Sequence, residues 1–331
     1  MIAQRSPVGL VLGSHVPPEQ IASTAALAEK LGYGELWFAE DFFFTGGISG
    51  AAAALAATTG IPVGLGIVSA MVRHPALLAM EIATLSRIYP GRLRPGIGMG
   101  VAGWLRQMGL QPGSPLGAVR DCLTAVRALL DGEELTRAEG SFRFDRVQLA
   151  HPPRERVPLY LGVVGPKMLQ LSGAAADGTV LSVCASPAYI RWAREQIAAG
   201  AARAGREEHH RLAAFAIFAV DRDGRRARES ARHFVAFYLA AGGANALTDA
   251  YGISGELTEM LARGGRDLLE HEMPERWVSD LAIAGDPEEC AAGVRGYLEA
   301  GADSVALFPM PSDRATELVR LAATDVLPRV A

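Results

Sequence analysis

The sequence predicts an α/β fold: a (β/α)8 TIM barrel with insertions, one of them helical and placed after the seventh strand. Three observations carry this expectation. Eight short apolar runs alternate with segments of helical periodicity, and such alternation implies right-handed crossovers and a parallel sheet. The 331 residues are long for one ordinary domain but normal for an α/β barrel with insertions. No linker and no internal repeat divides the chain, so residues 1–331 read as a single domain.

The first strand is 8–12, followed by Gly13-Ser14-His15. Pro17 and Pro18 start a helix whose apolar face carries Ile21, Ala25, Leu27, Ala28 and Leu31, and Gly32 and Gly34 close it. The second strand, 35–39, ends in Glu40-Asp41, and Gly46-Gly47 leads into an alanine-rich helix at 49–59. The third strand is 62–67, an apolar run bounded by turn residues. The next helix begins after Arg73-His74-Pro75, because proline tolerates a first turn. Leu77, Leu78, Ile82, Leu85 and Ile88 recur there at helical spacing, which predicts one buried face, and Pro90-Gly91 stops it. The fourth strand, 92–97, meets Gly96, Gly98, Gly100 and Gly103; a helix follows at 119–130. Residues 140–147 alternate apolar with polar and read as a surface hairpin outside the barrel count. The fifth, sixth and seventh strands are 158–162, 179–183 and 213–220, with helices at 167–176 and 187–204 after the fifth and sixth. A charged helical region, including 255–273, then runs to about 281, as a barrel cap or lid would. Asp286-Pro287 opens a helix at 288–300, 303–308 is the eighth strand, and 316–326 closes the chain.

Half of the residues are hydrophobic, enough for a large core. The formal net charge of −4 offers no basic field to nucleic acid. The three cysteines, Cys122, Cys184 and Cys290, are widely spaced and lack C-x-x-C, which argues against structural zinc or a disulfide scaffold. The seven histidines show no metal-ligand spacing, and His209-His210 is expected to be solvated. No run approaches bilayer length and the N-terminus carries no secretory apolar core, so a soluble cytoplasmic protein without metal or membrane is expected.

Gly98-Met99-Gly100-Val101-Ala102-Gly103 matches G-x-G-x-x-G, the dinucleotide fingerprint. A dinucleotide site also wants an acid at the end of the next strand, about 20 residues on. The acid near that distance, Asp121, falls in a helical stretch, so the motif fails its own context. In a closed barrel the site lies instead at the carboxyl ends of the strands. Those ends carry His15, Glu40-Asp41, Ile67-Val68-Ser69, Met99-Gly100-Val101, Val163-Val164-Gly165, Ser182-Val183-Cys184 and Pro309-Met310. So few ionisable groups suit neither a hydrolase nor a metal site; they suit an apolar mouth for a flat ring, with the chemistry carried by a cofactor.

Several motifs stand together in one order: Leu65-Gly66-Ile67, Arg73-His74-Pro75, Thr84-Leu85, Gly91-Arg92 and Gly96-Ile97-Gly98-Met99-Gly100. They are followed by Gly165-Pro166-Lys167-Met168, Gly173 and Ala176-Asp177-Gly178. In this combination the chain resembles the bacterial-luciferase-like superfamily of flavin and deazaflavin enzymes. The second set resembles the F420-dependent oxidoreductase branch, nearest to methylene-tetrahydromethanopterin reductase-like proteins. The resemblance implies reduced coenzyme F420 delivering hydride from C5 to an electron-poor C=C or C=N of a small molecule or natural-product intermediate. The alternatives are an FMN-dependent luciferase-like monooxygenase and a catalytically silent cofactor-binding accessory protein. A deazaflavin has carbon at position 5 and cannot form the flavin-type oxygen adduct, so the cofactor decides between reduction and oxygenation. A homodimer is also implied, with the alanine-rich helix at 49–59 able to pack closely on a partner.

By the same resemblance, the cofactor would touch Glu40, Gly66, Ile67, Val68, Ser69, Met99, Gly100, Val101, Val164, Gly165, Pro166, Lys167, Ser182, Val183 and Cys184. A cis Gly66–Ile67 peptide is expected at a bulge in the third strand. Glu40 could accept a hydrogen bond from the ring or shuttle a proton, or be a buried carboxylate satisfied by backbone donors. Lys167 could join helix N–H groups around a phosphate, or be an exposed first-turn lysine. His15 could donate a proton or be a hydrogen-bonded structural residue. Arg73-His74 reads as a helix start, and Cys184 as a buried hydrophobe-like residue without an activating base. Val11 and Val101 stand where relatives carry acids, and Glu40-Asp41 where many have Asp-His. These departures point away from a pterin or sugar phosphate and toward a less common substrate.

Overall fold

The structure, a computed structural model, describes residues 5–13, 16–110 and 113–330. In chain order it comprises β1 (Val8–Leu12), α1 (Ile21–Lys30), β2 (Leu36–Phe38), α2 (Gly47–Ala56), β3 (Val63–Ser69), α3 (Pro75–Ile88), β4 (Leu93–Gly98), α4 (Ala102–Gln107) and α5 (Pro115–Leu130). There follow β5 (Leu135–Arg137), β6 (Phe144–Val147), β7 (Tyr160–Gly162), α6 (Pro166–Ala175), β8 (Gly178–Leu181), α7 (Pro187–Arg203) and β9 (Arg211–Val220). The last part holds α8 (Gly224–Gly242), α9 (Ala246–Tyr251), α10 (Ser254–Glu272), α11 (Glu275–Leu281), β10 (Ile283–Gly285), α12 (Pro287–Glu299), β11 (Ser304–Pro309) and α13 (Ala315–Leu321).

Eight parallel strands close in the order β1-β2-β3-β4-β7-β8-β9-β11, with β11 returning to β1. This is the expected TIM barrel, and α8 to α11 form the helical insertion after its seventh strand. Period-two alternation sorts the strand residues into two layers. Val11, Trp37, Tyr160, Phe215, Ala306 and Phe308 belong to the cluster inside the barrel. Leu10, Leu36, Phe38, Leu65, Leu161 and Leu307 belong to the layer between strands and helices. The Trp37 ring meets Tyr160 and Phe215 edge-on, with centroids 5.3 and 5.7 Å away. Gly64 and Gly66 make room for them: a Cβ would lie 2.2 Å from Trp37 and 2.5 Å from Phe215 respectively.

The amino end of the barrel is held by charge. Glu35 is buried and accepts from the Trp37 indole N–H at 2.8 Å and the Ser304 hydroxyl at 2.6 Å, while Arg94 and Arg211 pair with its other oxygen. This face is opposite the strand ends where barrel sites form, so the cluster reads as a structural plug.

Four local expectations are corrected. The hairpin at 140–147 is instead β5 pairing antiparallel with β6, so its first strand lies earlier. β10 was not foreseen; three residues carry too little pattern, and it is the free edge of β9 beyond Leu181's partner that captures it in parallel. Leu77 and Ile88 do not belong to the buried face of α3: they stand 55% and 59% exposed beside Met80 at 49%. His210 is not solvated, because its Nε2 meets the buried Thr179 hydroxyl at 2.8 Å. His209 is exposed and pairs with Asp303. No helix among the described residues is long and apolar enough to cross a membrane.

Candidate active site at the strand ends

The end of β3 organises the site. The Gly66–Ile67 peptide is cis, and the register against β4 shifts between Leu65 and Val68. The half-buried Ile67 side chain lies over glycines of the two neighbouring strand ends. A Cβ on Gly96, Gly98 or Gly162 would come within 2.9, 2.7 or 2.5 Å of it. No other residue type leaves space for Ile67 on this floor. Val68 is fully buried behind it.

Ser69 fastens the bulge. Its hydroxyl donates to the Met99 carbonyl at 2.6 Å and accepts from the Met71 N–H at 3.1 Å. Gly100 follows with φ of +84°, where an L side chain is strained, and a Cβ would meet Phe42 and Ser69 at 3.2 Å. Val101 is exposed at the rim.

Glu40 follows β2, and its carboxylate is almost wholly buried. Arg73 grips it in a fork, Nη1 to Oε1 and Nη2 to Oε2, each at 2.7 Å. The N–H of Gly47, at the start of α2, adds a third bond to Oε2 at 2.8 Å. The hydrogen bond to Glu40 raises Arg73 further above the usual guanidinium range. Glu81, two turns into α3, presents a buried Oε2 without a hydrogen-bond partner among the described residues. Burial raises its pKa above the ordinary carboxyl range, Arg73 opposing and Glu40 adding to the shift. His74 caps α3, accepting from the Ala76 N–H, so the Arg73-His74 pair divides into one site residue and one helix cap.

Across the mouth, α6 begins at Gly165 without a side-chain cap, and Pro166 occupies its first turn. Lys167 is exposed there and makes no ion pair among the described residues. The Val164 carbonyl is tied to the Tyr189 hydroxyl at 2.7 Å. Ser182 is exposed, whereas Val183 and Cys184 are buried. Burial pushes the Cys184 thiol up to about 12, which agrees with a packing residue and not a nucleophile. His15, the other candidate proton donor, lies outside the described residues.

The insertion brings a residue that sequence reasoning missed. Tyr238 on α8 packs toward the mouth, its ring 6.3 Å from that of Phe308 at the end of β11. Burial, with Asp41 and Cys184 adding to it, pushes its hydroxyl far above the usual tyrosine range, so it stays a donor. Its only signal in the sequence was an aromatic residue on a charged helix. Among the described residues no three His, Cys, Asp or Glu side chains gather as a metal site would require.

A flat apolar wall beside an uncapped helix start fits a ring with an anionic tail. The chain is 30% identical over 295 residues to a 5,10-methylenetetrahydromethanopterin reductase from Methanolobus tindarius, covering 87% of this chain and 90% of the relative. It is 25% identical to an F420-dependent glucose-6-phosphate dehydrogenase from Nakamurella multipartita, covering 95% and 93%. In fold it matches the coenzyme F420-dependent tetrahydromethanopterin reductase of Methanopyrus kandleri with a TM-score of 0.86 at 24% identity, over 99% of this chain and 100% of that one. Such relatives are oxidoreductases, and residues 2–304 match the luciferase-like monooxygenase family, to which this chain belongs.

Proposed function

We propose that the protein is an F420-dependent oxidoreductase that moves hydride between the deazaflavin C5 and an electron-poor C=C or C=N of a small molecule. The observation that carries this reading is the Ile67 bulge on its glycine floor, facing the uncapped start of α6 in a chain of this family. Bound deazaflavin supplies two-electron hydride chemistry at carbon 5. Ile67 forms the apolar wall beneath the ring, backed by the buried Val68, with Gly66, Met99, Gly100 and Val101 shaping its edge. The first turn of α6, from Val164 through Gly165, Pro166 and Lys167, holds the anionic tail, and Ser182 assists. Val183 and Cys184 exclude water on the far side.

Glu40 accepts a hydrogen bond from the ring in this reading. Both its oxygens are committed to Arg73, which makes it a fixed acceptor in preference to a shuttle. Proton delivery falls to His15, while the Tyr238 hydroxyl, held protonated by burial, donates a hydrogen bond. Two chains associate as a homodimer.

The test is titration of the purified protein with F420 and, separately, FMN. F420 should bind at least about tenfold more tightly, a gap of roughly 1.4 kcal/mol. Preference for FMN would favour a monooxygenase instead, and tight F420 binding with no turnover of any electron-poor alkene or imine would favour an accessory role.

A further inference from the structure

Two loops flank the Ile67 bulge, one after β2 and one after β4, and both present apolar side chains to solvent. Phe43 is 68% exposed, Phe44 54%, Val101 40% and Met108 39%. Beneath them, the Phe42 ring joins the two loops, with centroids 6.0 Å from Trp104 and 6.3 Å from Phe43. Phe42 also sits over Gly100, which places this aromatic layer next to the bulge and not elsewhere on the surface.

Phe43 is held with φ of +74°. A bulky L residue adopts that region rarely, and residues kept there cluster at ligand clamps. Here the conformation turns a large ring outward, where burial gives it nothing. Exposed apolar surface of this kind marks a place where something binds.

The charge pattern narrows what that is. Segments 40–45 and 99–108 contain three charged residues: Glu40, already clasped by Arg73, Asp41, and the exposed Arg106. A phosphorylated or polycarboxylate substrate would find a single cation there. Tyr238, kept protonated, offers a hydrogen bond from the opposite side of the mouth.

We propose that Phe43, Val101, Trp104 and Met108 form a specificity rim for a planar, uncharged, conjugated ring substrate, which they hold against the site at the end of β3. This rests on the cofactor reading above and names the substrate class for it. Ring faces of the substrate pack on Phe43 and Trp104, as offset or edge-on aromatic pairs do. A polar substituent reaches the Tyr238 hydroxyl.

The test is equilibrium dialysis of 2-naphthol with the F420-saturated protein, beside 2-naphthoate and glucose 6-phosphate. One 2-naphthol per chain should bind, with the two anions weaker. Phe43→Ser and Met108→Ser, both on exposed side chains, should each weaken it by about three- to tenfold. F420 affinity, titrated separately, should stay within about twofold in both variants. If 2-naphthol does not bind the F420-loaded protein, or binds both variants as well as the original, the inference is overturned while the cofactor reading stands. If glucose 6-phosphate binds better, the rim does not select uncharged rings. If Phe43→Ser changes the molar mass in solution and naphthol is excluded, the rim is a contact between copies. Failure of the original protein to bind F420 removes the cofactor reading and this inference with it.

Discussion

Arg73 and Glu40, 33 residues apart, meet through two parallel hydrogen bonds of 2.7 Å, joining the loop after β3 to the end of β2. The Glu40 side chain is 6% exposed and that of Arg73 25%, so the pair is screened by solvent on one side only. This fork fixes the orientation of the Glu40 carboxylate after β2.

Arg73→Met should therefore leave Glu40 buried with its Gly47 bond alone. The expected loss is about 2 kcal/mol of stability, read as a shift of the urea midpoint, because hydrogen bonds to charged groups carry about that much. F420 affinity should fall as well. An unchanged midpoint would show that the pair holds nothing together.

Lys167→Ala addresses the anionic tail. Lys167 is exposed at the start of α6, so its contribution to F420 binding should be ionic and sensitive to salt. The variant should bind F420 several-fold more weakly at low salt, with a flatter salt dependence. Equal affinity and equal slope would place the phosphate contact elsewhere.

His210 gives the fold a pH dependence. Burial, with Arg194 and Arg206 adding to it, lowers the ring from 6.5 to about 4. The unfolded chain thus binds the proton first, and stability should fall as pH drops from 6.5 toward 4, then level off for this group. His210→Gln, which keeps a donor for Thr179, should flatten that part of the stability curve by about 3 kcal/mol. Parallel curves for both proteins would contradict the assignment.

The outer face of α3 bears on assembly. Leu77, Met80 and Ile88 share it at i, i+3 and i+11 and are 49–59% exposed. Such a stripe suits an isologous contact between two copies. Light scattering should give about twice the 34.9 kDa chain mass for the unaltered protein, and Met80→Glu should halve it. A monomer before substitution would end the homodimer reading.

Strand and helix boundaries were largely legible because their causes are local. Pro75, Pro166, Pro187 and Pro287 open helices where each was expected, and Asp286 completes a capping box with Glu289. Period-two runs such as 8–12 and 304–309 carry their inward and outward faces in the order of their residues. The family motif placed the bulge at Gly66, whereas the close approach of Ile67 to Gly96, Gly98 and Gly162 came from the structure.

Long-range partners were not legible, since they depend on which strand ends closure brings together. By itself the sequence marks Arg73 as a helix-start residue; only the barrel sets it against Glu40. It marks His210 as one of two histidines in a polar loop, yet strand pairing puts Thr179 against it and buries it. It shows Tyr238 on an amphipathic helix, and the packing of α8 over the mouth turns that ring toward Phe308. The apolar stripe on α3 is the converse case. Helical spacing says that Leu77 and Ile88 are apolar, but which of α3's faces meets the barrel is decided by the register of the sheet beneath it.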